Sequence, residues 1–491
     1  MSELVNGGAL VPSAEEGPVS GKGGAIAISS PRLVRLSPNG EFLASAQKRT
    51  LTIRVVATYE VHVHVRCSDD VQALAWSPDS ELISCSITKR ASVEVRLSLP
   101  IVVWGWGDAP CDARASVRPH VQAHGLALVL QVFAVRQPDW RCRIDEGVAG
   151  LVHSSWAPDS RHIVTVADFQ IHMTLWSLTT QKTVVVQKPK APQKAVTFSG
   201  SFMAVATRKD CKDSITVFDC DSWETVSTFQ VKTSDLAAIV WNDDGSAIIA
   251  QDTCLRFFLV VYSTMGEVLR EYTAYEHALG IRSLTMNPGG AFLAVASFDQ
   301  SVRLLNSLSW EVASEYPHTH PKLLAQAVKC TGVRLVTEFR APRTRECSKF
   351  VVSQSEDAFT VPTDAVVADG AATPKVGVSV VRWSYDGRYM ATKNENMPRV
   401  LWVWDVSVGG LQTVIVLDDA VRCMAWSPTD DLLCFSTGGE QLYEWTPESV
   451  DAIQVDDLPQ ILTIQFTADG ASVVLCSAKA WTCINIHADQ P

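Results

Sequence analysis

WSPDS, Trp76 to Ser80, returns along the chain in altered copies. SPNG stands at Ser37–Gly40, APDS at Ala157–Ser160 and SPTD at Ser427–Asp430. Weaker forms are NDDG from Asn242, NPGG from Asn287, SYDG from Ser384 and TADG from Thr467. Each follows an apolar or aromatic run and precedes residues such as EFLASA or RYMAT. Pro at the second position presets φ for a type I turn. Asp or Asn follows, and Gly or Ser stands where a left-handed residue closes the hairpin. With a degenerate FSGS around Ser199, the copies begin at positions 37, 77, 157, 199, 242, 287, 384, 427 and 467. Most gaps are 40–45 residues, and two, 80 and 97, are about double.

That period is the length of a four-stranded propeller blade. The flanks alternate as strands do: Val71, Ala73 and Ala75 against Gln72, Leu74 and Trp76, then Leu82, Ser84 and Ser86 on the return. A third strand follows many turns: ITVFD at Ile215–Asp219, SVRLLN at Ser301–Asn306, LWVWD at Leu401–Asp405. The last ends in the Trp-Asp dipeptide of the WD repeat. The spacing therefore predicts an all-β, WD-repeat β-propeller of seven to nine blades, each phrase being the hairpin between two inner strands. Propellers usually close with four to eight blades, so nine turns imply one large ring or two rings sharing them. A β-sandwich shows no such period.

The chain divides as follows: a Gly-, Ala- and Ser-rich flexible tail over 1–30, blades over 31–316, a long loop or degenerate blade over 317–374, and blades over 375–488. The first doubled gap contains 97–131, which has no turn phrase and reads as an insertion such as a retained intron leaves. Its removal would run strand ASVEV on towards VFAVRQPDW. The second contains PHTHP and the Arg/Pro-rich FRAPRTREC.

The 491 residues are 47% hydrophobic and 19% charged, which reads as globular and soluble. A net charge of −11 with pI near 5.5 disfavours broad attraction to nucleic acid or an anionic membrane. Thirteen scattered cysteines without a CxxC pair suggest reduced thiols in a cytosolic setting. The apolar runs near Leu97–Trp104 and Leu126–Val135 are half a membrane helix in length, and the first thirty residues lack the order of a signal peptide.

The search for chemistry returns little. GxSxG, P-loop, GxGxxG and HExxH are absent from the sequence. Asp69–Asp70, Asp243–Asp244 and Asp418–Asp419 are neighbours near turns, and adjacent strand residues face opposite sides, which makes poor acid/base couples. His62 and His64 share a strand face without a third ligand, and His318 and His320 lie in a loop; all four read as structural. Cys211, Cys220 and Cys254 lack a His/Asp partner arrangement. Trp76, Trp156, Trp241, Trp383 and Trp426 hold one blade position and read as repeated packing. No metal, cofactor or small-molecule substrate is expected, and no enzymatic activity. RKDCKD, Arg208–Asp213, lies between strands FMAVA and ITVF; it is a solvated, charge-balanced loop or a rim that meets a partner. Asp145 and Glu146 in RIDEG cap a turn or touch a partner.

Several longer phrases are distinctive: QPDWRCRIDEGVAGL (Gln137–Leu151), RKDCKDSITVF (Arg208–Phe218), DTCL…AYEHALGIRS (Asp252–Ser283), PKVGVSVVRWSYDGRYMATKNENMPRVLWVWD (Pro374–Asp405) and STGGEQLYEWTP (Ser436–Pro447). In order and wording they resemble the centrosomal and spindle-pole WD-repeat family whose gene lies antisense to a tumour-suppressor relative. The resemblance runs from about Arg32 to His487 and fails at the tail, at 97–131 and in parts of 317–374. It implies a non-enzymatic scaffold of cytoplasm and cytoskeleton at centrosome, spindle pole or basal body. Such a scaffold binds a coiled-coil anchoring protein of the synovial-sarcoma-X-interacting type, in some lineages with a minus-end-directed kinesin, for microtubule anchoring, spindle assembly and cilium formation. A substrate receptor of a cullin-type ubiquitin ligase is the alternative. Partner contacts are expected from polar loops between strands: Arg208, Lys209, Asp210, Lys212 and Asp213, then Asp252, then Lys393, Asn394 and Asn396.

Overall fold

The computed structural model describes residues 26–89, 102–103, 127–137, 140–144, 151–167, 172–180, 182–190, 196–318, 333–339, 347–354, 362–363 and 375–486. Asp145, Glu146, His320 and most of FRAPRTREC lie outside these residues. The described residues form nine sheets, antiparallel but for one parallel pairing. Blade 1 holds Val34–Leu36, Phe42–Gln47, Thr50–Val55 and Val61–Arg66, and blade 3 Leu151–Trp156, His162–Ala167, His172–Ser177 and Thr183–Gln187. Blades 2, 4, 5, 6, 7, 8 and 9 have their first strands at Val71–Trp76, Val196–Ser199, Ala238–Trp241, Ile281–Met286, Val378–Trp383, Cys423–Trp426 and Thr463–Phe466. Every turn phrase connects the first strand of a blade to its second.

The turns close by one logic. The amide of the first turn residue donates to the carbonyl five residues on, as from Ser37 to Phe42 (2.8 Å) and from Ser384 to Tyr389 (2.9 Å). In four of the turns the hydroxyl of that residue also donates to the Asp or Asn two places on, as from Ser77 to Asp79 at 2.6 Å and from Ser384 to Asp386 at 2.7 Å. The fourth residue is left-handed whether it is Gly or Ser, φ 72° at Gly40 and 63° at Ser80. SPTD and FSGS depart: Asp430 does not take a positive φ, and the chain turns between Ser199 and Phe202 with Gly200 left-handed at φ 50°.

Second strands are apolar almost without a break, as in FLASA, FMAVA and FLAVA, because both their faces are covered by neighbouring blades. Most fourth strands face solvent, as Val268–Tyr272 does along most of its length, while that of blade 7, Gly410–Val416, is covered. Continuous clusters join each blade to the next: Val164, Val166 and Leu175 meet Met203 and Val205 between blades 3 and 4, and Leu442 and Leu432 meet Ile464 and Leu475 between blades 8 and 9. Each fully buried Leu or Val in these seams stabilises by about 1.5–3 kcal/mol.

One ring closes. Ile26–Ala27 pairs antiparallel with Ala480–Asn485 as the fourth strand of blade 9, and Ile28, Val34 and Leu43 pack on Val474, Cys476 and Trp481. Gln465 Nε2 donates to the Val34 carbonyl at 3.1 Å. The tail expected over 1–30 thus stops short of Ile26, where the chain enters the sheet; a two-residue strand has no period to read.

Two further expectations change. Ala127–Gln131, assigned above to the insertion, belong to the third strand of blade 2: Ala127–Ala134 pairs with Leu82–Lys89 from Lys89↔Ala127 to Leu82↔Ala134. ASVEV, at 91–95, lies outside the described residues; the strand paired antiparallel with VFA is Leu82–Lys89. The intervening chain also returns Val102–Val103 to the outer edge, paired with Cys142 and Arg143. Among the described residues of 317–374 stands a hairpin, Arg334–Phe339 and Lys349–Gln354, added in parallel to the fourth strand of blade 7, Gly410–Val416. Its buried Glu338 accepts from Ser348 Oγ (2.6 Å), Tyr443 OH (2.8 Å) and the Asp418 amide (2.9 Å), which ties the hairpin to blade 8.

A candidate partner-binding face

Because strands alternate direction, all first-to-second turns lie on one face of the ring. All second-to-third connections, and all links to the next blade, lie on the other. Arg208–Asp213, Asp252–Cys254 and Lys393–Asn396 are second-to-third connections of blades 4, 5 and 7. The topology therefore gathers the three predicted stretches on one face.

Their individual residues divide. Phe202–Lys209 and Lys212–Asp219 pair to their ends, Lys209↔Lys212, around Asp210 and Cys211 at φ 50° and 61°. Two consecutive left-handed residues are the type I′ pattern that suits strand twist. Lys209, Asp210 and Lys212 are exposed at this tip. Arg208 and Asp213 serve the fold instead. Asp213 is buried, takes Lys190 Nζ at 2.6 Å and the Leu236 amide at 2.8 Å, and lies 3.6 Å from Arg208 Nε. Arg208 Nη1 and Lys190 Nζ reach Asp235 at 2.7 and 2.5 Å. The Lys190 ammonium, with Arg208 beside it, holds Asp235 below the usual carboxylate range. Asp213 as a partner contact is thereby corrected. Lys190 and Asp235 were not in the sequence reading, since they stand 23 and 22 residues from Asp213 in the chain.

Asp252 is corrected likewise. It is fully buried, and its oxygens accept from Ser234 Oγ (2.7 Å) and from the amides of Ser234 (3.2 Å), Asp235 (2.9 Å) and Thr253 (2.9 Å). A carboxylate so occupied organises the link between blades 4 and 5. Asn394 is buried too and donates to Gln300 Oε1 at 2.9 Å, while Asn396 Oδ1 accepts from the Gly377 amide at 2.9 Å. Lys393 stays within reach of solvent. Burial pulls its ammonium below the usual lysine range, Glu395 opposes, and Arg422 and Arg282 add to the pull.

The remaining candidates are placed by packing. His62 and His64 are exposed on the outer strand of blade 1; His64 Nδ1 lies 3.3 Å from Thr52 Oγ1. His318 is buried, with Nε2 at 2.6 Å from Thr392 Oγ1, and burial pulls it down to about 3. Cys211 is exposed, Cys220 buried and Cys254 intermediate, all as free thiols. Among the described residues no group of three His, Cys, Asp or Glu could hold a metal, and no helix is long and apolar enough to cross a membrane. The recurring tryptophans do more than pack. Indole N–H groups of Trp76, Trp156, Trp241 and Trp426 donate to Arg35, Ala75, Thr197 and Arg382 carbonyls of the preceding blade at 3.0–3.2 Å.

These features define a β-propeller that displays loops for protein contact. Residues 53–92 and 266–306 match the family described as WD domain, G-beta repeat. WD repeat-containing protein WRAP73 of Mus musculus is 33% identical over 465 residues, covering 91% of each chain. An uncharacterized WD repeat-containing protein of Schizosaccharomyces pombe is 22% identical over 314 residues, 62% of each. A crystal structure of the eukaryotic initiation factor aligns with a TM-score of 0.55 at 11% identity, covering 87% of this chain and 89% of that one, a likeness of fold alone. The chain belongs to the WD-repeat family of the mouse protein.

Proposed function

We propose that this protein is a non-enzymatic scaffold at the centrosome, spindle pole or basal body. There it binds a coiled-coil anchoring protein, in company with a minus-end-directed kinesin in some lineages, to support microtubule anchoring, spindle assembly and cilium formation. The observation that carries the reading is 33% identity along 91% of a WD-repeat relative, together with the ordered phrases of the spindle-pole family from Gln137 to Pro447. The protein acts as a co-scaffold, placed by its partner. Sustained heptads for self-assembly are absent from the sequence, and a net charge of −11 opposes a broad interface with acidic tubulin. The ring supplies rigid loops, and a coiled coil supplies reach and avidity. The contacts are exposed Lys209, Asp210 and Lys212 and the partly buried Lys393.

Affinity purification from dividing cells tests this. Recovery of a coiled-coil spindle-pole protein, reduced in a Lys209→Glu/Lys212→Glu variant of unchanged melting temperature, is the expected result. Recovery of cullin components instead, or tight pelleting of the purified protein with microtubules at physiological salt, would overturn it.

A further inference from the structure

Blades 6, 7 and 8 present a second feature on the same face, at the inner rim. The register of the first strand of blade 6 breaks between Ile281 and Ser283, and that of blade 7 between Val378 and Val380. Each break is a bulge that turns the intervening residue, Arg282 or Ser379, out of the ladder. Arg422 stands at the corresponding place of blade 8, directly after buried Val421 as Arg282 follows buried Ile281. Its amide donates to the Ser436 carbonyl at 2.8 Å, so its backbone is fixed at the start of the strand. Blades 2 and 3 carry the same bulge with uncharged Gln72 and Val152. Of the four bulges of this kind, the one in blade 6 carries the charged residue.

Lys393, paired opposite Val380 on the second strand of blade 7, brings a third cation between the two arginines. Glu395 supplies one negative charge to the group: its Oε1 is 4.0 Å from Arg282 Nη2, 3.9 Å from Lys393 Nζ and 2.5 Å from Ser379 Oγ. Arg282 is held in place by donating to the Val376 carbonyl at 2.6 Å and by lying over the Phe298 ring. The shift of Lys393 reports that burial and the two guanidiniums both bear on it. Three cations held close together repel one another, and Glu395 supplies a single charge against them, so a further anion would be stabilised there.

We propose that Arg282, Lys393 and Arg422 form a binding site for an acidic segment of a partner protein, laid across the inner rim of blades 6 to 8. The two arginines offer forked donors to carboxylates, with Lys393 as the point charge between them. This rests on the reading of the loop face as the partner face, but it concerns a different patch from Lys209 and Lys212.

The full-length protein is titrated into fluorescein-labelled decaglutamate, with decaglutamine as the uncharged comparison, and anisotropy is read at about 50 mM and about 300 mM salt. Decaglutamate is expected to bind and decaglutamine not, with the affinity falling steeply at the higher salt. Arg422→Glu, at an exposed side chain, and Lys393→Met should each weaken binding about tenfold or more. Lys209→Glu/Lys212→Glu removes twice the charge of Arg422→Glu from the same face and should leave the affinity unchanged. No preference for decaglutamate, equal affinity in Arg422→Glu, or a loss that follows Lys209 and Lys212 instead would each overturn the site. Because the peptide assay uses purified protein alone, its failure is distinct from failure of the spindle-pole reading.

Discussion

Lowering the pH from 7 to 5 should weaken the fold through His318 by an amount that the ring geometry sets. The imidazole lies between blades 6 and 7, edge-on to Trp402 and Trp404 with both centroids at 5.3 Å. Thr392 Oγ1 already accepts from Trp404 Nε1 at 2.9 Å, so its own proton points at His318 Nε2, 2.6 Å away. The other ring nitrogen faces the Gln300 carbonyl at 3.2 Å. This network assigns the neutral ring with its proton on Nδ1. A second proton on Nε2 would meet the Thr392 hydroxyl proton head-on. Burial accordingly pulls His318 from 6.5 down to about 3. The sign follows. Below about 6.5 the unfolded chain takes up a proton that the folded chain refuses, so stability falls steadily as pH drops towards 3. At pH 5 the difference is about 1.5 pH units at 1.36 kcal/mol each, or about 2 kcal/mol. Urea unfolding followed by tryptophan fluorescence, at pH 7 and pH 5, measures it on the native chain and on His318→Gln. The variant should be less stable at pH 7 and should lose about 2 kcal/mol less than the native chain on acidification. Equal losses in the two proteins, within about 0.5 kcal/mol, would refute the neutral, network-locked imidazole.

Glu444 should show the opposite slope: burial raises its carboxyl to about 7, so its cost grows as pH climbs from 4.5 to 7, and Glu444→Gln should stabilise by at most about 3 kcal/mol above pH 7 and by little at pH 4.5, read by the same unfolding assay. Trp241→Phe deprives the Thr197 carbonyl of its indole donor and should cost about 1–2 kcal/mol more than Trp383→Phe, whose Nε1 is buried without a partner, as measured by melting temperature and urea midpoint. Arg208→Glu should lower the melting temperature by opening the Asp213–Lys190–Asp235 network, whereas Lys209→Glu and Lys212→Glu should not. Gly377→Ala should destabilise strongly in thermal unfolding, since φ is +79° and a Cβ there would lie 2.5 Å from the Phe298 Cα and 2.6 Å from the Ser297 carbonyl oxygen.

The amino-acid sequence by itself determined the blade: a turn whose four residues satisfy one another needs no distant partner, so Ser77, Asp79 and Ser80 announce their geometry wherever they stand. The nine turn phrases marked every first-to-second hairpin, within an expectation of seven to nine blades. Even the tryptophan before the turn was visible, though not its hydrogen bond to the preceding blade. The three polar loops were legible as loops for the same local reason.

What only the tertiary structure decided depends on residues far apart in the chain. The turns are compatible with one ring or two, and the choice was made where Ile26–Ala27 pairs beside Trp481 and Gln465 reaches Val34. Asp252, Asp213 and Asn394 looked like surface polar residues because the groups that cover them and bond to them come from the next blade's entry loop or, for Asn394, from the Gln300 side chain that accepts its amide. The hairpin at Arg334–Gln354 was hidden by parallel pairing, which carries no turn signature. Arg282 and Arg422 are 140 residues apart and share a rim because a bulge in one strand and the ring's curvature aim them together. Sequence encodes the local bond that closes a hairpin; closure of the ring, burial of a charge and convergence of cations are properties of the packed whole, where each depends on what another blade presents.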